Sequence, residues 1–284
     1  MSRSRYVSAI GLFVVGAVTQ YLGAALAVGL FAHLPAVTVA WWRIALAAVV
    51  LVAWRRPWRH SRGWWGRAAA FGVVLAGMNM AFYVAIDHLP LGTAVSIEFL
   101  GPVAVAALAG RGWQQRVAIA LAAAGVATIS GLGVDWGQPG TGVGLGFAAL
   151  AGGLWGLYVV LGKRLAMTVN GIDALAVGMV AGALAFAPFV ATTAGAAFAD
   201  LRLLGGVLGV ALLSSVVPYV LDQVNFGLLP AATFAILLAL LPATALVVGL
   251  VVLRQVPTAG ELAGLVLVSL AVALANLPAR RGAR

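Results

Sequence analysis

Apart from seventeen lysines and arginines, the groups of this 284-residue chain that could do chemistry are seven acidic residues and three histidines, with no cysteine. The lack of cysteine excludes thiol nucleophiles, thiolate zinc sites and disulfide frameworks. His33, His60 and His88 are scattered without metal-ligand spacing, so neither a metal nor a cofactor is expected. Asp87, Asp135, Asp173, Asp200 and Glu261 fall between apolar stretches and read as solvated. Glu98 and Asp222 lie inside such stretches, and so does one base, Arg43. A charge at that depth in a bilayer costs about 2.5 to 3.5 kcal/mol on insertion scales, so it faces a bundle interior or a wet cavity and has a task there.

Arg43 lies eight residues after Pro35 and Glu98 eight after Pro90. If both helices start on the outer side, both charges sit roughly 12 Å below that face and can meet. Asp222 belongs nearer the inner face, so one acidic group is reached from each side. Pro102 removes one backbone donor and frees the carbonyl four residues earlier, which is that of Glu98. A kink there would set an acceptor carbonyl beside a carboxylate at mid-depth, as in the interrupted helices of transporters. Pro242 should kink its own helix in the same way, with Leu238 at the position matching Glu98.

Two readings of Arg43 and Glu98 stand side by side: a structural ion pair between two helices, or partners of a substrate. Asp222 is read either as a vestibule group or as a second acidic station. Gln20, Asn79 and Asn225 suit interhelical hydrogen bonds, Gln20 and Asn79 also being candidates for a site. Tyr83, Trp155 and Tyr219 are candidates to line a cavity. Gly142, Gly144 and Gly146, with Gly152, Gly153 and Gly156, lie in an apolar stretch with no preceding strand, so close helix packing is expected there, not a phosphate loop.

The elements that must position these residues follow from composition. The chain is 63% apolar and only 8% charged, with a mean hydropathy of +1.09. Soluble domains carry roughly a quarter charged residues, so this composition specifies an integral membrane protein. The first apolar stretch, about 6–32, is too long for a signal h-region and is read as a retained span. Cutting at proline, glycine and charge clusters predicts ten spans, at 7–31, 36–54, 67–86, 91–109, 117–134, 142–162, 174–194, 204–226, 230–253 and 260–277. The expected fold is therefore all-α, with no soluble domain.

The basic residues set the sides. With the N-terminus inside, fourteen of the seventeen fall in cytoplasmic segments, Arg202 and Arg254 fall outside, and Arg43 lies within a span. The positive-inside rule then puts both termini in the cytoplasm. The formal charge of +10 is thus a topology signal and needs no nucleic-acid partner. The cluster Arg55 to Arg67, interleaved with Trp58, Trp64 and Trp65, suits an anionic leaflet. Ten spans divide into five and five, residues 1–134 and 142–284, joined by a periplasmic connection at 135–141. Odd-numbered halves insert in opposite orientations, which predicts an inverted repeat. Its trace is Leu89-Pro90-x-x-Thr93 with Leu100-x-Pro102, repeated at the same spacing as Leu229-Pro230-x-x-Thr233 with Leu240-x-Pro242.

Gly77-Met78-Asn79, Phe82-Tyr83, Pro90-Leu91-Gly92, Ala94-Val95, Glu98-Phe99, Gly101-Pro102 and Ala104-Val105-Ala106 together resemble the threonine/homoserine exporters, in the EamA group of the drug/metabolite transporter superfamily. The likeness extends to the surroundings of Arg43, to Trp155 and Tyr158, and to Pro218-Tyr219, Leu229-Pro230 and Thr233-Phe234. The resemblance implies a bacterial inner-membrane secondary transporter that exports small metabolites, here amino acids, using the proton gradient. Where that family often has an acidic residue before the second proline and a glutamate after the same span, this chain has Leu241 and Gln255; it keeps an acid, Asp222, near a third such position.

A zwitterionic amino acid needs an anion for its ammonium and a cation for its carboxylate, and Glu98 and Arg43 offer both. Proton and ammonium would compete for Glu98, which would make it the coupling carboxylate of an antiporter working by alternating access. The expected partners are thus a small-molecule substrate, protons and the lipid bilayer, with the protein a monomer or weak dimer. Export of cationic drugs or other small metabolites would use Glu98 and the aromatic residues without Arg43. A membrane-embedded enzyme is not expected, since no paired carboxylates, histidine cluster or serine–base pair is visible.

Overall fold

The computed structural model describes residues 3–57, 60–109, 113–166, 171–228 and 237–276, and these are entirely helical apart from their connections. In chain order the helices are α1 (Arg3–Leu30), α2 (Ala36–Arg55), α3 (Arg62–His88), α4 (Leu91–Glu98), α5 (Leu100–Ala109), α6 (Trp113–Thr128), α7 (Thr141–Ala166), α8 (Gly171–Val190), α9 (Leu201–Ala211), α10 (Val217–Leu228), α11 (Leu241–Val252) and α12 (Ala259–Asn276). A π-helical turn, Ile129–Gly133, extends α6, and another, Leu212–Val216, joins α9 to α10.

Among the described residues, seven stretches are long and apolar enough to cross a membrane: Ser8–Leu30, Ala36–Arg55, Arg62–His88, Trp113–Gly133, Thr141–Gly162, Gly171–Val190 and Leu201–Leu221. Three shorter apolar helices, Leu91–Val105, Leu241–Val252 and Ala259–Ala275, fall where the remaining sequence-predicted spans lie. The first runs through an interruption at Phe99. The second follows residues 229–236, outside the described residues, which hold Leu229, Pro230 and Thr233 of the repeated motif.

Helix ends follow local chemistry. Pro35 and Pro90 precede α2 and α4, where a missing N–H costs nothing because the first helical amides have no partner in the helix. Asp200 caps α9, its carboxylate accepting from the Arg202 amide at 2.8 Å. Packing is set by small residues. The buried face is dominated by alanines such as Ala9, Ala24, Ala40, Ala47, Ala76 and Ala94, whereas Val49, Leu184, Phe189 and Val251 point outward. Lipid solvates large apolar side chains as well as a protein interior does, so close backbone approach is what selects the contact faces.

That approach is closest at glycines. A Cβ on Gly72 of α3 would overlap the backbone of Gly178 in α8, and one on Gly101 of α5 would overlap the Gly152 carbonyl in α7. Gly152 and Gly156 therefore do pack helices together, while Gly142, Gly146 and Gly153 have nothing within 4 Å. Helix α3 packs on α7 and α8, α2 on α8, α4 on α7 and α11, and α12 on α6; α1 packs on α9, α10, α11 and the Leu212–Val216 turn, which α2 also touches.

Candidate functional site

Arg43, in the middle of α2, is 5% exposed and makes contact with the second half of the chain. Its Nε donates to Ser215 Oγ at 2.7 Å and its Nη2 to the Ser214 carbonyl at 2.5 Å. Both serines sit in the π-helical turn Leu212–Val216, and Ser214 Oγ donates onward to the Gln20 carbonyl of α1 at 2.9 Å. The guanidinium carbon lies 5.4 Å from the centroid of the Tyr83 ring. Tyr83 is fully buried on α3, edge-on to Phe31 and Phe82, and its hydroxyl has no hydrogen-bond partner among the described residues.

Glu98 is the last residue of α4 and is 9% exposed. The helix breaks directly after it, at Phe99, and resumes at Leu100, two residues before Pro102. Its freed carbonyl meets Gly152 of α7, where only the absence of a side chain leaves room. Among the described residues its carboxylate has no ion pair within 4.0 Å, although the charges of Arg43 and Glu98 act on one another and Glu98 acts also on the buried Tyr21. The two charges share one region without touching, so a direct structural ion pair is not what holds them.

The other candidates separate into groups. Gln20 joins the network through its backbone carbonyl. The Asn79 amide donates to the Leu75 carbonyl at 2.7 Å, within its own helix and not across helices. Asn225 does bridge helices: with its amino group donating to the Ala9 carbonyl (3.0 Å), its oxygen accepts from the Phe13 amide (3.2 Å) of α1. Trp155 packs edge-on to Phe99 at 4.5 Å, beside the break. Tyr219 borders a second apolar core with Ile44 and Leu175. Asp222 lies on α10, but its side chain is outside the described residues. Pro242 sits in the first turn of α11, after a turn at 239–240.

Three features escaped the sequence reading. The adjacent serines, Ser214 and Ser215, stand alone in an apolar run, and that isolation was their signal. Glu261 is not solvated: it is 5% exposed, accepts from the Thr93 hydroxyl of α4 and from the Thr258 amide (2.8 Å), and donates its own amide to Thr258 Oγ1 at 3.1 Å. Thr258-x-x-Glu261 is a capping box, a pattern legible in sequence. Beside it the Gln255 oxygen accepts from the Leu91 amide at 3.0 Å, so the first turn of α4 is fastened by two side chains from the end of the chain. Asp173, likewise read as solvated, pairs with Arg55 (2.9 Å) and His60 (3.2 Å), linking α8 to the end of α2.

Residues 142–277 match the model of the EamA-like transporter family. The threonine/homoserine exporter RhtA of Escherichia coli K12 is 36% identical over 245 residues, covering 86% of this chain and 82% of the relative. RhtA of Salmonella typhimurium LT2 is 34% identical over 261 residues, covering 91% and 88%. A solved crystal structure shares the fold, with a TM-score of 0.64 at 19% identity and 99% of each chain covered. The chain is a multi-pass membrane transporter, a member of the EamA-like transporter family.

Proposed function

We propose that this protein exports small amino acids of the threonine/homoserine type across the bacterial inner membrane, in exchange for protons, with Glu98 and Arg43 at its substrate site. The observation that carries the reading is a buried acid and a buried base that share one region without forming an ion pair, in a chain 36% identical to an exporter of that name. Glu98 takes the substrate ammonium or a proton in turn, and Arg43 takes the carboxylate. Tyr83 and Gln20 border the same region; Trp155 buttresses the break beside Glu98; Asn79, Tyr219 and Asp222 are assigned to the wall and the inner vestibule.

The architecture that serves this role is ten spans in two inverted five-helix repeats, 1–134 and 142–284, with residues 135–141 on the periplasmic side and both termini in the cytoplasm. The pattern of packing supports it. Span 2 (α2) meets span 7 (α8), span 5 (α6) meets span 10 (α12), and span 4 (α4) meets span 9 (α11). These pairs map onto themselves when the halves are exchanged. Off-axis contacts come in matched sets: α3 on α7 corresponds to α9 and α10 on α1, and α3 on α8 to α9 on α2. The interruptions before Pro102 and Pro242, at Phe99 and at 239–240, fall at equivalent points of the two halves, where alternating access would need a hinge. The protein works as a monomer or a weakly associating dimer.

Proteoliposomes loaded with labelled threonine test this. An imposed proton gradient should drive exchange by the native chain, and Glu98→Gln should abolish the gradient-driven component, because an amide neither titrates nor balances the ammonium charge. Full gradient-driven transport by Glu98→Gln refutes the antiport mechanism.

A further inference from the structure

A guanidinium has two edges that can hold a carboxylate with two parallel hydrogen bonds, one made by Nε and Nη2 and the other by Nη1 and Nη2. In Arg43 the first edge is already spent on Ser215 Oγ and the Ser214 carbonyl. The acceptors come from one π-helical turn, where the offset of the hydrogen-bond ladder lets a carbonyl serve a side chain. The turn is itself held: Ser214 Oγ is bonded to the Gln20 carbonyl, and a Cβ at Gly23 would overlap that hydroxyl, so glycine there lets α1 close on it. Both serines are buried. The second edge has no hydrogen-bond partner among the described residues, and the unpartnered Tyr83 hydroxyl is buried on the ring that underlies the guanidinium.

Resting on the amino-acid reading above, we infer that Ser215 is a positioning residue for substrate recognition: it tethers Arg43 by one edge, holds it off Glu98, and presents the other edge to the substrate carboxylate. The physical need for a tether is plain. Opposite charges in a low-dielectric interior attract strongly, so a free guanidinium would close on Glu98. Each would then be neutralised by the other and lost to the substrate. Kept apart, they address the two ends of a zwitterion.

The test compares threonine with its decarboxylated amine, 1-aminopropan-2-ol, in proteoliposomes containing the native chain, Ser215→Ala, Ser215→Thr and Arg43→Gln. The readout is the ratio of kcat/KM for threonine to that for the amine. Ser215→Ala should lower this preference about tenfold, the value of one charge-assisted hydrogen bond. Ser215→Thr, which keeps the hydroxyl, should restore it, and Arg43→Gln should lower it at least as far as Ser215→Ala. If Ser215→Ala does not accumulate in folded form, Ser215→Cys, near in volume with a weak acceptor, should show the same loss. An unchanged preference in Ser215→Ala or Ser215→Cys, with the preference lost in Arg43→Gln, overturns the tether and leaves Arg43 as carboxylate partner. An unchanged preference in Arg43→Gln, or a native chain that moves threonine no better than the amine, overturns the amino-acid reading and the tether with it.

Discussion

Arg43 illustrates how a buried charge is stabilised by neutral acceptors. Because its bonds go to a hydroxyl and a carbonyl and not to Glu98, removing it strands those acceptors without leaving a carboxylate stripped of a touching partner. Arg43→Gln should therefore cost only about 1 to 3 kcal/mol of stability, less than the 3 to 5 kcal/mol of a broken buried pair; thermal unfolding in detergent measures it. Glu261 is the opposite case. It accepts from Thr93 and Thr258 and closes a capping box, so Glu261→Ala should cost about 2 to 4 kcal/mol. Combined with Thr93→Val in a double-mutant cycle, it should show a coupling of about 1 to 2 kcal/mol, because the two side chains share one charge-assisted bond. Strict additivity would mean that the bond does not fasten α4.

At the level of elements, glycine decides which helices touch. A methyl group at Gly101 must displace the Gly152 carbonyl, forcing α5 away from α7 beside Glu98, whereas Gly153 on the same helix faces open space. Gly101→Ala should lose about 1 to 3 kcal/mol and impair transport. Gly153→Ala should be neutral or stabilising by up to about 1 kcal/mol, because alanine is the better helix former. Melting temperatures and transport rates of the pair, measured side by side, check this. Equal effects would show that the contact carries no packing constraint. The break at Phe99 belongs to the same scale: proline removes the donor, and the opposing glycine gives the freed carbonyl a place to lie.

For the whole molecule, the proposed orientation rests on the asymmetry of charge and the proposed inverted repeat on an odd number of spans in each half. Reporter fusions after Gln138 and after Arg284 should read outside and inside respectively. Any other pairing breaks the five-plus-five arrangement. The chain has no native cysteine, so single cysteines placed in the connections can be labelled from either side without background to give the same answer independently.

Membrane residence, helical class and approximate span positions were determined by the sequence alone, because apolar length and the siting of charge are one-dimensional properties. Resemblance likewise reached the transporter family through the residues around Glu98, and the proline at 102 announced an interruption close to that residue. Other features had to wait for the tertiary structure. Whether Arg43 bonds to Glu98 or to two serines 171 and 172 residues away in the chain depends on which helix faces meet, and no local pattern encodes that. The same holds for Glu261 and Asp173: each follows a connection and reads as solvated, yet each is taken up by side chains from the first half of the chain. A carboxylate in a loop finds water unless another helix end arrives to replace it, and that arrival is decided by packing between the halves.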